Sequence, residues 1–364
     1  MSFLKKISSA GNKLRDKSKN ITDTNLLLII TIVVFFLMYI GAMIFLGSGF
    51  LKAQTLFNIL NANAALIIIS CGMSLVMITG GIDISMGGVM ALVSMSCAVY
   101  LDYHNGNVFT AILISLAIGL AFGLVQGFLI AYLDIQPFIV TLAGMFFARG
   151  MTTIVNSNPF NVQNQEFVAL KETRVIMPGL GSINKAGNYV DAYIEIGVVV
   201  ALIVVAVLFC VLKWAKLGRE FYAVGGSNQS ALMLGVNVKR TKFFSYLICG
   251  LLAGIGGFVY FMHVGSGSAS HASGAEMNAI ASSIIGGTML TGGVGNIIGT
   301  LFGVLSLSTI QNIVASVGLD QAWWTGITIA AMLCLFLIIQ SIVMSRKNNV
   351  SVKAVVKKAV RSKE

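Results

Sequence analysis

Apolar runs of bilayer length, broken by short polar segments, fill the chain from Leu26 onward. A hydrocarbon core about 30 Å thick takes roughly 20 apolar residues per helical crossing. Runs of that kind are Leu26 to Leu46, Leu56 to Thr79, Met86 to Leu101, Val108 to Leu133, Phe138 to Val155, Ile194 to Leu212, Phe243 to Met262, Met277 to Leu290, Ile297 to Val317 and Trp323 to Met344, the third and eighth being short. The pattern predicts an all-α integral membrane protein, a polytopic bundle of about ten transmembrane helices with a range of eight to ten. The first run is too long for a signal-peptide core and lacks a small-residue cleavage site, so it reads as a retained span.

Composition supports that class, because 57% of the residues are hydrophobic and only 10% charged. The basic residues then test the count. Of 24 lysines and arginines, six precede Asn25, six lie between Lys213 and Lys242, and seven run from Arg346 onward. Cytoplasmic segments collect Lys and Arg, so these three share a side, which requires an even number of spans between them. The run count supplies six and then four, and it places both termini in the cytoplasm. The organisation expected is a basic N-terminal tail at 1–25, a transmembrane domain at 26–344 with a cytoplasmic loop at 213–242, and a basic C-terminal tail at 345–364. The net charge of +11 is thereby a topology signal and an affinity for anionic lipid rather than for nucleic acid.

Glycines spaced by four, at Gly119, Gly123 and Gly127, at Gly250 and Gly254, and at Gly295, Gly299 and Gly303, allow helix backbones to approach closely. The five cysteines fall in apolar runs without metal or disulfide spacing and read as packing residues. His104, His263 and His271 are expected in outer loops, and no metal site is expected. Asp102, Asp134, Glu276 and Asp320 are placed in loops between spans, leaving Asp83 and Glu195 as the deeper acids. A secondary transporter driven by ions usually buries several carboxylates near the midplane, and this supply is missing. No phosphate-binding loop of the form GxxxxGK[ST] occurs, so the chain is not read as an enzyme. If the chain pumps, the energy arrives from another subunit, and no cofactor is expected on this chain.

Two stretches interrupt the apolar pattern in an informative way. In "MITGGIDISMGGVMAL" the pair Gly80 and Gly81 weakens the preceding helix, and Asp83 can cap the next, with Ser85 beside it. A broken junction that buries Asp83 beside a pathway is expected, since irregular backbone at depth must be covered by protein or water. In "KWAKLGREFYAVGGSNQSALMLGVNVKRTK" Ser227 or Asn228 can cap a short helix through Met233, and Gly235 can end it in the left-handed conformation. Such a helix suits docking into a partner's cleft. Arg149 lies about 17 Å into its span, by the helical rise counted from Pro137. It costs at least about 2.5 kcal/mol unless paired or wetted, so it should face the bundle or a vestibule. Asn61, Asn63 and Thr141 join Asp83, Ser85 and Arg149 as pathway candidates, with interhelical hydrogen bonding as the rival role.

The blocks "GGIDISMGGVMAL", "QPFIVTLAGMFFARG", "GREFYAVGGSNQSALMLGV", "NAIASSIIGGTMLTGGVGNIIGTLFG" and "WWTGI" together resemble the permease subunits of ribose/galactose/xylose-type ABC sugar importers, most of all the galactofuranose-type permeases. The resemblance implies a monosaccharide cargo and a pathway formed with a second permease subunit, alike or paralogous. It also implies a cytosolic ATP-binding subunit, an extracytoplasmic sugar-binding protein and a place in a prokaryotic cell membrane. It carries Gly218, Arg219, Ala223, Gly225, Asn228, Ala231 and Gly235 into the family's coupling element. Asn278 stands where the family usually has an acid, which removes a carboxylate otherwise expected to help dock the binding protein. Related permeases move nucleosides or branched-chain amino acids, and these are the alternatives within the architecture; an ion-coupled transporter is the alternative outside it.

Overall fold

The computed structural model describes residues 23–47, 50–183, 189–318, 323–324 and 326–341. Most of both basic tails, Lys185 and Asp320 lie outside the described residues. Eight helices among those described are long and apolar enough to cross a membrane. They are α1 (Asp23–Leu46), α2 (Ala53–Ile78), α3 (Met86–Tyr103), α4 (Val108–Ala131), α5 (Pro137–Val155), α7 (Ile196–Trp214), α10 (Val238–Val264) and α12 (Ile297–Ser316). Short helices α6 (Gln165–Glu172), α8 (Lys216–Gly226), α9 (Asn228–Met233) and α11 (Ala275–Ile285) join them, with α13 (Gly326–Ser341) closing the described chain.

The eighth apolar run, Met277 to Leu290, is not a full helical span. Its helix, α11, stops at Ile285, and Gly287, Gly292 and Gly293 then take positive φ. The crossing is completed by the 265–274 loop before α11, so half is irregular backbone and half is helix. Direction still alternates through the bundle. Cys249 of α10 touches Met86 of α3, Gly87 lies against Glu276, Ser283 bonds Ser70 O, and Gly293 N donates to Ile78 O at 2.9 Å. Helix α12 then runs back along α2, with Thr300 beside Ser74 and Ser308 beside Asn63. Near the end of α13, Gln340 Nε2 reaches Ile284 O.

The central helices are α2, α3 and α10, whose inner residues make one contiguous apolar core. Their packing follows the glycine spacing. Helix α4 lies antiparallel on α10, and a Cβ on Gly250 would stand 2.5 Å from Gly119 O and 2.6 Å from Gly123 Cα. Gly303 of α12 makes the same kind of approach to the Ser282 backbone of α11. Outward faces of α1, α4, α5 and α7 carry exposed Phe36, Val125, Phe146 and Ile203, the surface a lipid-facing helix presents.

Two small antiparallel sheets sit at one end of the bundle: β1 (Phe160–Asn161) with β4 (Ser266–Gly267), and β2 (Arg174–Ile183) with β3 (Tyr189–Glu195). The opposite end holds α8, α9 and the 286–296 turn, together with Lys213, Lys239, Arg240 and Lys242. His263 is in the last turn of α10 rather than in a loop, 2.7 Å from Glu195 Oε2. Glu276, expected in a loop, is in the first turn of α11 and only 8% exposed. Cys71, Cys97 and Cys249 are buried, whereas Cys210 and Cys334 are exposed.

Candidate translocation site and coupling surface

Helix α2 ends because Gly80 turns the chain at φ +83°. The next residues climb along α10 instead of leaving the bundle. Tyr246 O–H donates to Ile82 O at 3.4 Å, and Asp83, 2% exposed, reaches mid-bundle. Its Oδ1 accepts from Ser85 N at 2.9 Å and Ser85 Oγ at 2.6 Å, and its Oδ2 accepts from Cys249 Sγ at 3.4 Å. Ser85 Oγ also lies 3.2 Å from Gln126 Oε1. A hydroxyl has one proton, and the shorter contact to a carboxylate takes it. Asp83 is therefore buried in a broken junction and turns its carboxylate on the start of α3. Cys249 is about 16 Å along α10 by the helical rise, close to the middle of that helix.

Arg149 is held from the other side. Its Nη1 donates to Ala269 O and His271 O, and its Nη2 to Ala272 O at 3.0 Å. Three carbonyls of the 265–274 loop thus receive one guanidinium, whose planar fork suits several acceptors at once. Ser94 Oγ adds contacts to Ser266 O at 3.3 Å and His271 Nδ1 at 3.2 Å.

The other pathway candidates are not brought to this place. Asn61 Oδ1 accepts from Glu195 N at 3.0 Å, and Asn63 Nδ2 donates to Ile59 O and Ser308 Oγ at 2.8 and 2.7 Å. Thr141 Oγ1 donates to Pro137 O of its own helix at 2.9 Å. Several residues at the junction were not among the candidates: Gln126, Tyr246, Cys249 and Glu276. A polar residue in an apolar run was the available signal for Gln126, whereas Tyr246 and Cys249 look like ordinary core residues.

At the basic end Ser227 Oγ accepts from Ser230 N at 3.2 Å, and Gly235 ends the turn at φ +79°. That is the capped helix expected from the sequence. It is preceded by α8, which the sequence reading did not resolve as a helix. Gly218 lies against the backbone of Leu212 and Gly225 against Ile78 O and Gly293 N. Arg219 Nη1 donates to Trp214 O at 3.1 Å, and Tyr222 O–H to Gly295 O at 2.9 Å. Burial pushes the Tyr222 phenol up to about 12. Ala231 anchors α9 inward, while Leu232, Met233 and Leu234 point out at 64%, 79% and 80% exposure. Three adjacent exposed apolar side chains outside the spans mark an interaction surface.

Residues 55–337 match the family described as branched-chain amino acid transport system / permease component. The chain belongs to this permease family. The inner membrane ABC transporter permease protein YjfF of Escherichia coli is 35% identical over 87% of this chain and 92% of its own length. The fructose import permease FruG of Bifidobacterium longum is 35% identical over 86% of this chain and 90% of its own. The ribose import permease RbsC of E. coli is 34% identical over 73% and 79%. No solved structure matches the chain. As an ABC importer permease it is a multi-pass membrane protein and a transport subunit rather than an enzyme, and membership implies an ATPase subunit and a substrate-binding protein as partners.

Proposed function

We propose that this chain is the membrane subunit of an ATP-driven importer of a monosaccharide. Two copies, or this chain and a paralogue, enclose the pathway. The basic end faces the cytoplasm, which places both termini there and lets the basic segments lie against anionic lipid. A cytosolic subunit binds and hydrolyses ATP, and an extracytoplasmic protein delivers the sugar to the sheet-bearing end. The observation that carries this reading is α9: a capped helix outside the spans, presenting Leu232, Met233 and Leu234, on a loop whose α8 abuts the end of α2. Gly218, Arg219, Ala223, Gly225, Asn228, Ala231 and Gly235 form the coupling unit with it. The sugar as cargo is supported by the import permeases for fructose, ribose and galactose among the relatives.

Asn61, Asp83, Ser85 and Thr141 are covered within the bundle and brace the pathway wall, while Arg149 and Asn63, partly exposed, reach its surface. The test is uptake into proteoliposomes holding the permease with its ATPase and binding protein. Import of one of D-ribose, D-fructose or D-galactose that requires ATP and survives a protonophore supports the reading. ATP-dependent import of leucine or a nucleoside instead would refute the cargo. Uptake abolished by the protonophore and indifferent to ATP would refute the class.

A further inference from the structure

Two helices begin in the middle of this bundle, and two acids lie near where they meet: Asp83, whose carboxylate is taken up by Ser85 and Cys249, and Glu276. Helix α3 starts at Met86, level with Cys249 near the centre of α10. Helix α11 starts at Ala275, and Glu276 in its first turn presses its carboxylate against Gly87 in the first turn of α3, beside Ala272 O. Neither N-cap residue supplies a side-chain cap, since Ser85 makes no such bond and Gly274 has no side chain to make one; at the start of α3 only the Ser85 N–H is met from outside, by Asp83 Oδ1. Glu276 is more than nine-tenths buried, and its Oε2 has no hydrogen-bond partner among the described residues. A buried carboxyl oxygen without a partner is expensive, and ionisable groups kept inside a membrane bundle mark substrate routes. Arg149 binds the same Ala272 O from its other side. Around them the surface is polar and open, with Ser270 and Ser273 exposed, and such a surface cannot be turned to lipid.

We propose that Glu276 and Arg149, with the loop between them, form a polyol subsite of the membrane pathway, in which the Glu276 carboxylate accepts hydrogen bonds from cargo hydroxyls. Charge balance argues for a neutral cargo. Two carboxylates, Asp83 and Glu276, disfavour an anion, while a guanidinium and two helix N-termini disfavour a cation. A hydroxyl-rich molecule donates to the carboxylate and accepts from the guanidinium without carrying charge into the bundle. The proposal rests on the reading of the chain as a sugar permease and adds the residue that touches the sugar.

The test uses the permease–ATPase complex in nanodiscs without the binding protein, so that the membrane subunit's own selectivity is read. Met277, 57% exposed beside Glu276, is replaced by cysteine as a reporter, with Cys210 and Cys334 changed to serine. Protection of the M277C thiol from a maleimide is titrated with whichever of D-ribose, D-fructose and D-galactose the wild-type complex imports, and with its monodeoxy analogues. One analogue should need about tenfold more sugar, the loss typical of a hydrogen bond to a charged group. With Glu276→Gln the parent sugar should lose about tenfold and that analogue nothing further, while the thermal midpoint stays level or rises because a buried charge has gone. Unchanged protection, equal further loss for the analogue, or a lower thermal midpoint would overturn the proposal. If Glu276→Gln does not assemble, Gly87→Ala displaces the carboxylate with a methyl group, and retained discrimination there overturns it. Should the wild type import leucine or a nucleoside and no monosaccharide, the cargo reading fails separately, and the same titration with that solute decides Glu276.

Discussion

Gly225→Ala attacks the seat through which the proposed coupling loop meets the bundle. A Cβ at this position would stand 2.6 Å from Gly293 N and nearer still to Ile78 O, where ordinary contact begins at 3.4–4 Å. The neighbours are backbone, so they must give by more than an ångström. They are also bonded to each other, Gly293 N to Ile78 O at 2.9 Å. Overpacking of this kind costs about 1–3 kcal/mol, and weakening the bond adds about 0.5–1.5 kcal/mol. A penalty of about 2–4 kcal/mol lowers the seated population by roughly 30- to 1000-fold relative to the unseated form. The strain falls on a helix outside the membrane, so the bundle should insert and keep its thermal midpoint within a few degrees. Import should fall at least tenfold, with ATP hydrolysis continuing but no longer tied to uptake. Sugar uptake and phosphate release are measured together in proteoliposomes. Gly226→Ala is the adjacent control, because a Cβ there meets nothing within 4 Å. Wild-type coupling in Gly225→Ala, or equal damage from Gly226→Ala, refutes the reasoning.

Gly235→Val should uncouple for a different reason: a side chain at φ +79° costs about 1–2 kcal/mol and tilts α9, whereas Asn, tolerant of that conformation, should keep most of the ATP-dependent import. Replacing Leu232, Met233 and Leu234 together by Ser should leave the thermal midpoint unchanged, since all three are exposed, yet abolish co-purification of the ATPase. Tyr222, whose phenol is raised by burial from 10.0 to about 12, favours the folded form while neutral. Its contribution is complete below pH 10 and is lost as pH rises toward 12, so the thermal midpoint should fall over that interval, less steeply in Tyr222→Phe.

The spans were legible because bilayer length and the Lys and Arg distribution are both strong signals, and they agree on the alternation of direction. Ser227 and Gly235 were legible because a cap and a left-handed stop leave their mark on adjacent residues. The glycine rows at 119–127 and 250–254 signalled close packing, although only the structure shows that they pack on each other. Glu276 was hidden by the continuous apolar run that follows it, which reads as one helix. The run is instead broken by Gly286 and Gly287, with the upper half of that crossing supplied by the 265–274 loop. The hairpin of β2 and β3 was hidden by its mixed pattern, in which Pro178, Gly179 and Gly181 resemble an irregular loop.

A mechanical route between coupling loop and site follows from which groups are backbone. Helix α9 is joined to α8 through the Ser227 cap, and α8 abuts Ile78 O, the last turn of α2. Ile78 is followed by the short irregular climb through Gly80 and Asp83 to the start of α3. Irregular backbone absorbs φ/ψ change more readily than a helix does, so any motion of α8 under the proposed coupling would be taken up between Thr79 and Ser85 rather than by bending α2. The far end of that climb is fixed to α10 by Tyr246 and Cys249. On the proposed coupling role, a displacement at Ile78 would rotate the Asp83 turn about its α10 anchor and shift the first turn of α3, where Gly87 covers the Glu276 carboxylate. The glycines at both ends of the route, Gly225 and Gly87, are the places where a methyl group would jam it.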